Sequence, residues 1–167
     1  MGTMITIRAW GGTEQGQIDE LTLLVRKAYD RITELEQIFS DYRSDSELSL
    51  LARAPANQPI PVSAELFGLF ETSFELYQKT DGAFDITMGP LIRQWRLSRK
   101  NHRLPSQTSF DRAKSRSGFH LVVLNTENRT ILKKVEGMIF DFGGIGKGYA
   151  ADAALAILRE GGFPQSL

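Results

Sequence analysis

The chain has 167 residues, enough for one domain with a buried core, and 41% of them are hydrophobic. Twenty basic residues balance twenty acidic ones, which argues against a surface built as a whole to bind nucleic acid or an anionic membrane. The absence of cysteine excludes disulfides, thiolate metal sites and a cysteine nucleophile. No apolar run approaches the length of a membrane span, and the sequence as written shows no signal peptide.

The first part of the sequence predicts one strand followed by three helices. Residues 4–10 alternate between apolar and polar side chains, which predicts a strand ending at Gly11-Gly12. Apolar residues then recur at steps of three and four from position 18 to position 39, the pattern of one long amphipathic helix. A short helix over residues 47–52 follows. After an extended, proline-rich connection, Ser63 stands where the N-cap of a further helix belongs.

The second part predicts turns, a hairpin and a final helix. Gly89-Pro90 is interpreted as a helix breaker, and a short helix is expected over residues 110–117. The runs at 120–125 and 129–134 predict the two strands of a hairpin, and residues 137–140 a third strand. The last helix is expected over residues 149–160. The sequence after it resembles the approach to another strand. Because a strand-loop-helix unit normally returns to its sheet, we expect a piece of a longer fold.

Residues 143–148 contain four glycines around Lys147 and follow Asp141 closely. Neither common nucleotide-binding pattern fits, because Gly148 stands where a P-loop needs Ser or Thr and Tyr149 stands at the third glycine of a dinucleotide fingerprint. Glycines between a strand and a helix nevertheless let the backbone approach a ligand, and a helix N-terminus favours an anion. The loop by itself leaves a ligand site and a plain tight turn equally open.

Other polar segments have simple structural interpretations when each is taken alone. Residues 41–45 indicate a surface loop, and residues 81–87 a turn that enters a strand with Phe84 in the core. His102 and His120 have no acidic partner at a telling spacing, so neither is assigned a role.

Five segments, taken together and in order, resemble the ApbE family of flavin transferases. They are MGT at 1–3, FSDYRSDSELS at 39–49, TDGAFDITMGPLIRQW at 80–95, LPS at 104–106 and FDFGGIGKGYAAD at 140–152. The resemblance spans essentially the whole chain. It implies an α+β, ApbE-like fold in which a mixed or antiparallel sheet packs with helices. Family members are considerably longer, so residues 1–167 would be the N-terminal part of one such domain.

The resemblance also implies an activity. Members of the family bind FAD and a divalent metal, usually Mg²⁺, and transfer FMN to a Ser or Thr hydroxyl of a target flavoprotein while AMP leaves. Such a reaction mainly needs positioning and charge neutralisation. Two alternatives stay open: a module that binds FAD without catalysis, or a relative that hydrolyses FAD as a pyrophosphatase. Because further metal ligands and a candidate catalytic histidine belong to the family's C-terminal half, this chain alone is expected to be poorly active.

The resemblance implies a set of site residues, position by position. The expected cofactor-binding residues are Met1, Tyr42, Ala83, Phe84, Asp85, Asp141 and Lys147. Gly144 would offer its backbone carbonyl to the metal, and such an oxygen ligand suits Mg²⁺. No residue is assigned a catalytic role. Ala52 stands where the family often has Asn, a departure that would weaken or alter cofactor handling.

The location in the cell and the partners are expected only in outline. The sequence as written is that of a cytoplasmic protein, but family members are commonly exported lipoproteins. A periplasmic or membrane-anchored location would follow if a leader had been removed. The expected partners are FAD and an acceptor flavoprotein, without nucleic acid, and the identity of the acceptor is left open.

Overall fold

The computed structural model describes residues 4–11 and 14–166. These residues form two compact units, one of residues 4–11, 14–37 and 145–166 and the other of residues 38–144. The helices are α1 (Gln15–Phe39), α2 (Glu47–Arg53), α3 (Ala64–Lys79), α4 (Gly89–Asn101), α5 (Gln107–Lys114) and α6 (Gly146–Glu160). The strands are β1 (Ile60–Pro61), β2 (Val122–Asn125) and β3 (Thr130–Lys133). Among the described residues, no helix combines the length and the apolar character needed to cross a membrane.

The first unit contains most of α1, all of α6 and the two ends of the described chain. The predicted long helix is confirmed, and its buried residues Ala28, Ile32 and Leu35 follow the spacing of one helical face. The strand predicted over residues 4–10 is wrong, because only Ala9 forms an isolated antiparallel bridge, to Ser166. Alternating side chains favour a strand, but a strand also needs a partner along its length.

The second unit contains α2 to α5 and a three-stranded antiparallel sheet in the order β1-β3-β2. The predicted hairpin is confirmed as β2 and β3, with Leu124 paired to Ile131. Ile60 pairs with the other side of Ile131, so that residue is central and fully buried. The expected fold class, α+β with a small antiparallel sheet packed with helices, is confirmed.

The core of the second unit is rich in phenylalanine. The ring of Phe70, on α3, packs edge-on against Phe140 at 4.9 Å and against Phe142 at 5.3 Å between centroids. The expected N-cap of α3 is confirmed, since the Ser63 hydroxyl accepts a hydrogen bond from the Leu66 amide. This buried wall fixes the segment that leads into the glycine loop.

The predicted third strand, residues 137–140, is wrong, although the segment is buried. Met138 and Phe140 alternate into the core as strand residues would. The next amide, that of Asp141, donates to the Ile86 carbonyl at 2.8 Å, and Ile86 begins a 3₁₀ turn rather than a strand. A buried apolar run therefore imitates a strand without joining the sheet.

The interpretation of Gly89-Pro90 as a helix breaker is also wrong, because these residues begin α4. Proline is tolerated in the first helical turn, where its missing amide has no partner to lose. Gly89 is required by close packing, since a Cβ there would collide with the Ile139 carbonyl oxygen. Helix α4 is thereby held directly against the segment that precedes the glycine loop.

A buried lysine ties the sheet to α2. Lys133, at the end of β3, is 1% exposed, and its Nζ donates to the Ala52 carbonyl at 2.5 Å. Burial lowers the pKa of Lys133, and the charge of Glu136 opposes that shift only in part. The Ala52 carbonyl lies near the C-terminus of α2, where a cation is favoured by the helix dipole.

Candidate functional site

Arg96 links two of the segments that the sequence singles out. Its guanidinium donates to Asp41 Oδ2 at 2.6 Å and to Asp141 Oδ2 at 2.9 Å. The same group lies 4.7 Å from the centroid of the Tyr42 ring, within the range of a cation–π contact. Residues 41–42 and the start of the glycine loop are thus held together by one side chain of α4.

The electrostatics of this cluster favour a charged arginine between two carboxylates. The side chains of Asp41 and Asp141 are only 16% and 11% exposed, whereas that of Arg96 is 42% exposed. Burial alone would lower the pKa of Arg96, but the hydrogen bond and charge of Asp41, with the charge of Asp141, raise it above its ordinary value. Tyr42 is 69% exposed, so its ring offers an aromatic surface to solvent beside this charge network.

Asp141 also shapes the first turn of the glycine loop. Its Oδ1 accepts a hydrogen bond from the Gly143 amide at 2.7 Å, while its Oδ2 is bound by Arg96. A Cβ on Gly143 would lie 2.8 Å from that same Oδ1, so the turn leaves no room for a side chain. A carboxylate has about four acceptor sites, and two are used here, so Asp141 retains acceptors for a ligand.

Phe84 lies directly against Gly144. A Cβ on Gly144 would lie 3.1 Å from Phe84 Cε2, closer than ordinary van der Waals contact. The bond from the Asp141 amide to Ile86 brings the same two segments together through their backbones. The structure therefore places four expected site residues in one contact network within the second unit: Tyr42, Phe84, Asp141 and Gly144.

Asp85 has a structural task beside this network. Its Oδ1 accepts from the Thr87 amide at 2.8 Å and from the Thr87 hydroxyl at 2.6 Å, which caps the 3₁₀ turn. Ala83 is exposed in the preceding turn, where its amide donates to Thr80. The cofactor contacts expected of Ala83 and Asp85 stay predictions.

Two expected site residues remain, Lys147 and Met1. Lys147 is exposed in the first turn of α6. Met1 lies outside the described residues. The roles expected for both stay predictions.

Gly144 is the one described residue expected to bind the metal. Among the described residues, no group of three or more His, Asp or Glu side chains is arranged to hold a metal ion. The Gly144 carbonyl alone does not form such a site.

Arg96 and Asp41 are members of the network to which the sequence assigns no role. Asp41 belongs to a segment that by itself indicates a surface loop, and Arg96 follows directly after the last residue of the TDGAFDITMGPLIRQW block. If the sequence had predicted a helix over residues 89–101, Arg96 would have been placed where it can reach both acids. Because Gly89-Pro90 suggests a break, the sequence predicts no helix that carries Arg96 toward the two acids.

Comparison with known proteins assigns the chain to a family. The ApbE family model matches residues 1–167, and the chain belongs to the ApbE family. The chain is similar to the FAD:protein FMN transferase of Escherichia coli (strain K12), with 33% identity over 136 residues. That match covers 79% of this chain and 39% of the relative.

Solved structures show the same fold. The flavin transferase ApbE from Vibrio cholerae superposes with a TM-score of 0.78 at 20% identity, over 96% of this chain and 51% of that one. The apo flavinyl transferase ApbE of Pseudomonas stutzeri superposes with a TM-score of 0.75 at 25% identity, over 85% of this chain and 45% of that one. The chain thus spans about half, or less, of the length of these relatives.

Proposed function

We propose that the protein to which this chain belongs transfers FMN from FAD to a Ser or Thr hydroxyl of an acceptor flavoprotein, in a reaction that requires Mg²⁺. Curated relatives in the family are named FAD:protein FMN transferase. Within that family, one structural observation supports the proposal. Arg96 joins Tyr42 to Asp141, and Phe84 packs against Gly144, so segments far apart in sequence form one surface.

The proposed reaction breaks the phosphoanhydride bond of FAD and forms a phosphoester bond to the acceptor. The acceptor hydroxyl oxygen forms a bond to the phosphorus of the FMN half, the bridging P–O bond to the other phosphate breaks, and AMP leaves. The hydroxyl proton is released in the same exchange. This chemistry depends chiefly on holding the diphosphate and the hydroxyl in line.

The residues of the network would bind and orient FAD. The exposed Tyr42 ring offers a face on which the flavin ring can stack. Asp141 would accept hydrogen bonds from donor groups of FAD, while Arg96 holds its carboxylate in place. Mg²⁺ would supply charge neutralisation when bound. The Mg²⁺ requirement is inferred from the family resemblance. Gly144 is the one metal ligand proposed within the described residues.

A second candidate for the 167-residue chain alone is FAD binding without transfer. The single proposed metal ligand among the described residues favours it. A chain that holds the flavin but leaves the diphosphate without a complete metal site would bind FAD and release little AMP.

A titration tests the FAD binding that both candidates require. Quenching of flavin fluorescence is measured as the chain is added to FAD, with and without MgCl₂, for the unmodified chain and for Asp141→Asn. The variant is expected to weaken FAD binding by about tenfold, the effect of losing one charge-assisted hydrogen bond and its geometry. Asp30→Asn, an equal charge change at an exposed position of α1, is the matched control and should leave the affinity unchanged.

Transfer is tested with an acceptor flavoprotein, FAD and MgCl₂, in parallel for the chain and for any longer protein that contains it. Covalent flavin on the acceptor is read by in-gel fluorescence, and AMP by chromatography. Labelled acceptor with one AMP per flavin supports the transferase. Binding without either product supports the FAD-binding module, and AMP without labelled acceptor supports a pyrophosphatase. If no FAD binds under any of these conditions, the proposal is wrong.

A further inference from the structure

A cavity of about 570 Å³ opens in the second unit, among α2, α4, α5 and the segment that precedes the glycine loop. It lies at the Gly137–Ile139 end of that segment, whereas the network of Arg96 lies at the Asp141 end. Its volume is that of a small-molecule site, for which about 300–1,000 Å³ is usual. No residue of the Arg96 network lines it.

The lining is strongly basic although the chain as a whole is neutral. It contains four arginines and, among the described residues, one acid, Glu136; the arginines are Arg53, Arg93, Arg112 and Arg116. Glu136 is already engaged, because its Oε1 accepts from the Ala56 amide at 2.8 Å. The balance of twenty basic and twenty acidic residues therefore conceals a local concentration of positive charge.

Three of these arginines, Arg93, Arg112 and Arg116, form no side-chain hydrogen bond or ion pair with the residues that the structure describes. Arg116 is half-buried, whereas Arg93, on α4, and Arg112, on α5, are exposed. Their helices pack against each other, so the two guanidinium groups belong to neighbouring walls of one cavity. Arg53 is fixed differently, since it donates to the Ser44 carbonyl. Like charges gathered in a cavity without partners repel each other, and an anionic ligand removes that repulsion.

The neutral part of the lining also suits an anion. Ser109 and Gln94 contribute a hydroxyl and an amide donor beside the arginines, whereas the Ser49 hydroxyl already donates to the Ser40 carbonyl. A guanidinium group binds a phosphate or a carboxylate through two parallel hydrogen bonds, and it keeps its charge at every physiological pH. Several such groups around a space much larger than one phosphate ion fit a ligand with several anionic groups.

We propose that this cavity binds a small molecule that carries two or more phosphate groups, at a site separate from the Arg96 network. The probe is inorganic triphosphate, titrated into the purified chain by calorimetry. Saturable binding with one site per chain is expected, and its affinity should fall as NaCl is raised because exposed guanidinium groups are screened. Citrate, a compact tricarboxylate, is titrated in parallel. Citrate binding as tight as that of triphosphate would overturn the assignment to phosphates.

Variants locate the site. Arg93→Ala with Arg112→Ala is expected to weaken triphosphate binding by at least about tenfold, because two charge-assisted contacts are lost. The matched control, Arg26→Ala with Arg99→Ala, makes the same change of net charge at exposed arginines that do not line the cavity. It should leave the affinity within about twofold, since remote charges act only through screened long-range attraction. Equal losses in the two double variants would overturn the site.

Three further readouts test the charge of the cavity and separate the cavity from misfolding and from the flavin site. Glu136→Gln removes the one acid found in the described lining but keeps an acceptor for the Ala56 amide, so triphosphate should bind more tightly. Far-UV circular dichroism and the melting temperature of the arginine variants should match those of the parent. FAD binding should be unchanged in Arg93→Ala with Arg112→Ala. If that variant lost FAD and triphosphate together, and triphosphate displaced FAD, the cavity would belong to the flavin site and the proposal would be wrong.

Discussion

Replacement of Arg96 by methionine is the sharpest test of the network. Methionine keeps much of the aliphatic stem but removes the bonds to Asp41 and Asp141, together with the cation above Tyr42. The two carboxylates, at 16% and 11% exposure, would then remain largely out of water without their cation. Exposed ion pairs contribute only about 0–1 kcal/mol, whereas breaking a buried pair costs about 3–5 kcal/mol.

The cluster lies between these limits, because its acids are largely buried and its arginine is partly solvated. We therefore expect Arg96→Met to lower the free energy of unfolding by about 2 kcal/mol, measured by urea denaturation at low salt. Arg99→Met is the matched control, on the same helix at an exposed position that does not contact the network, and should change stability by less than about 0.5 kcal/mol. The loss should shrink in high salt to the extent that the cluster is screened.

A double-mutant cycle isolates the coupling. Asp41→Asn should be destabilising in the parent, where it breaks the bond to Arg96, but much less so in Arg96→Met, where it removes an unpaired acid. The bonds of Arg96 would contribute nothing to stability if Arg96→Met and Arg99→Met were equally stable. The same would follow if the losses of unfolding free energy in Arg96→Met and Asp41→Asn were additive. The proposed FAD-binding residues would then have no structural reason to lie together.

Three further predictions concern packing and the buried lysine. Burial lowers the pKa of Lys133, so the unfolded state binds more protons than the folded state just below pH 10.5. The parent should therefore gain stability relative to Lys133→Met as the pH rises toward that value. Urea denaturation at several pH values measures this difference. Gly89→Ala places a Cβ against backbone and should cost about 3 kcal/mol of unfolding free energy, while Gly68→Ala, with open space on α3, should gain about 0.5–1 kcal/mol. Gly144→Ala should displace the Phe84 ring and weaken FAD binding in the fluorescence titration, with a change in unfolding free energy below about 1 kcal/mol, because the crowded atom is the far edge of a movable ring. The first prediction would be contradicted by a stability difference for Lys133→Met that does not depend on pH. The second would be contradicted by equal stability of Gly89→Ala and Gly68→Ala. The third would be contradicted by unchanged FAD affinity in Gly144→Ala.

The elements with strong local signals could be predicted from the sequence. The long helix α1 has an apolar face repeated over many turns, and the cap at Ser63 marks the start of α3. The hairpin of β2 and β3 is local as well, since its partner strands are neighbours in the chain. In each case one short window contains the whole physical reason for the structure.

The wrong predictions concern segments whose structure depends on a distant partner. Residues 4–10 alternate as a strand does, but only Ala9 finds a bridge, at Ser166. Residues 137–140 are apolar enough for a strand, yet the bond that follows goes to Ile86. Arg96 is surface-like in sequence and gains its importance only because α4 brings it to acids 55 and 45 residues away. No local sequence pattern predicts contacts between residues that are so far apart in the chain.

The last prediction concerns the glycine loop. A plain turn needs only the glycines that the fold requires, whereas a ligand site also needs glycines where the backbone approaches the ligand. Gly143 is explained by the fold, as its Cβ would strike Asp141, but a Cβ added to Gly148, in the first turn of α6, would meet no described neighbour within 4 Å. If the loop were only a turn, Gly148→Ala should raise stability by about 0.5–1 kcal/mol and change nothing else. If the backbone at this helix N-terminus approaches a phosphate of FAD, the same variant should still be more stable but should bind FAD less tightly. Denaturation and FAD titration of this one variant therefore decide between the two interpretations that the sequence leaves equal. Greater stability with unchanged FAD affinity would favour the plain turn.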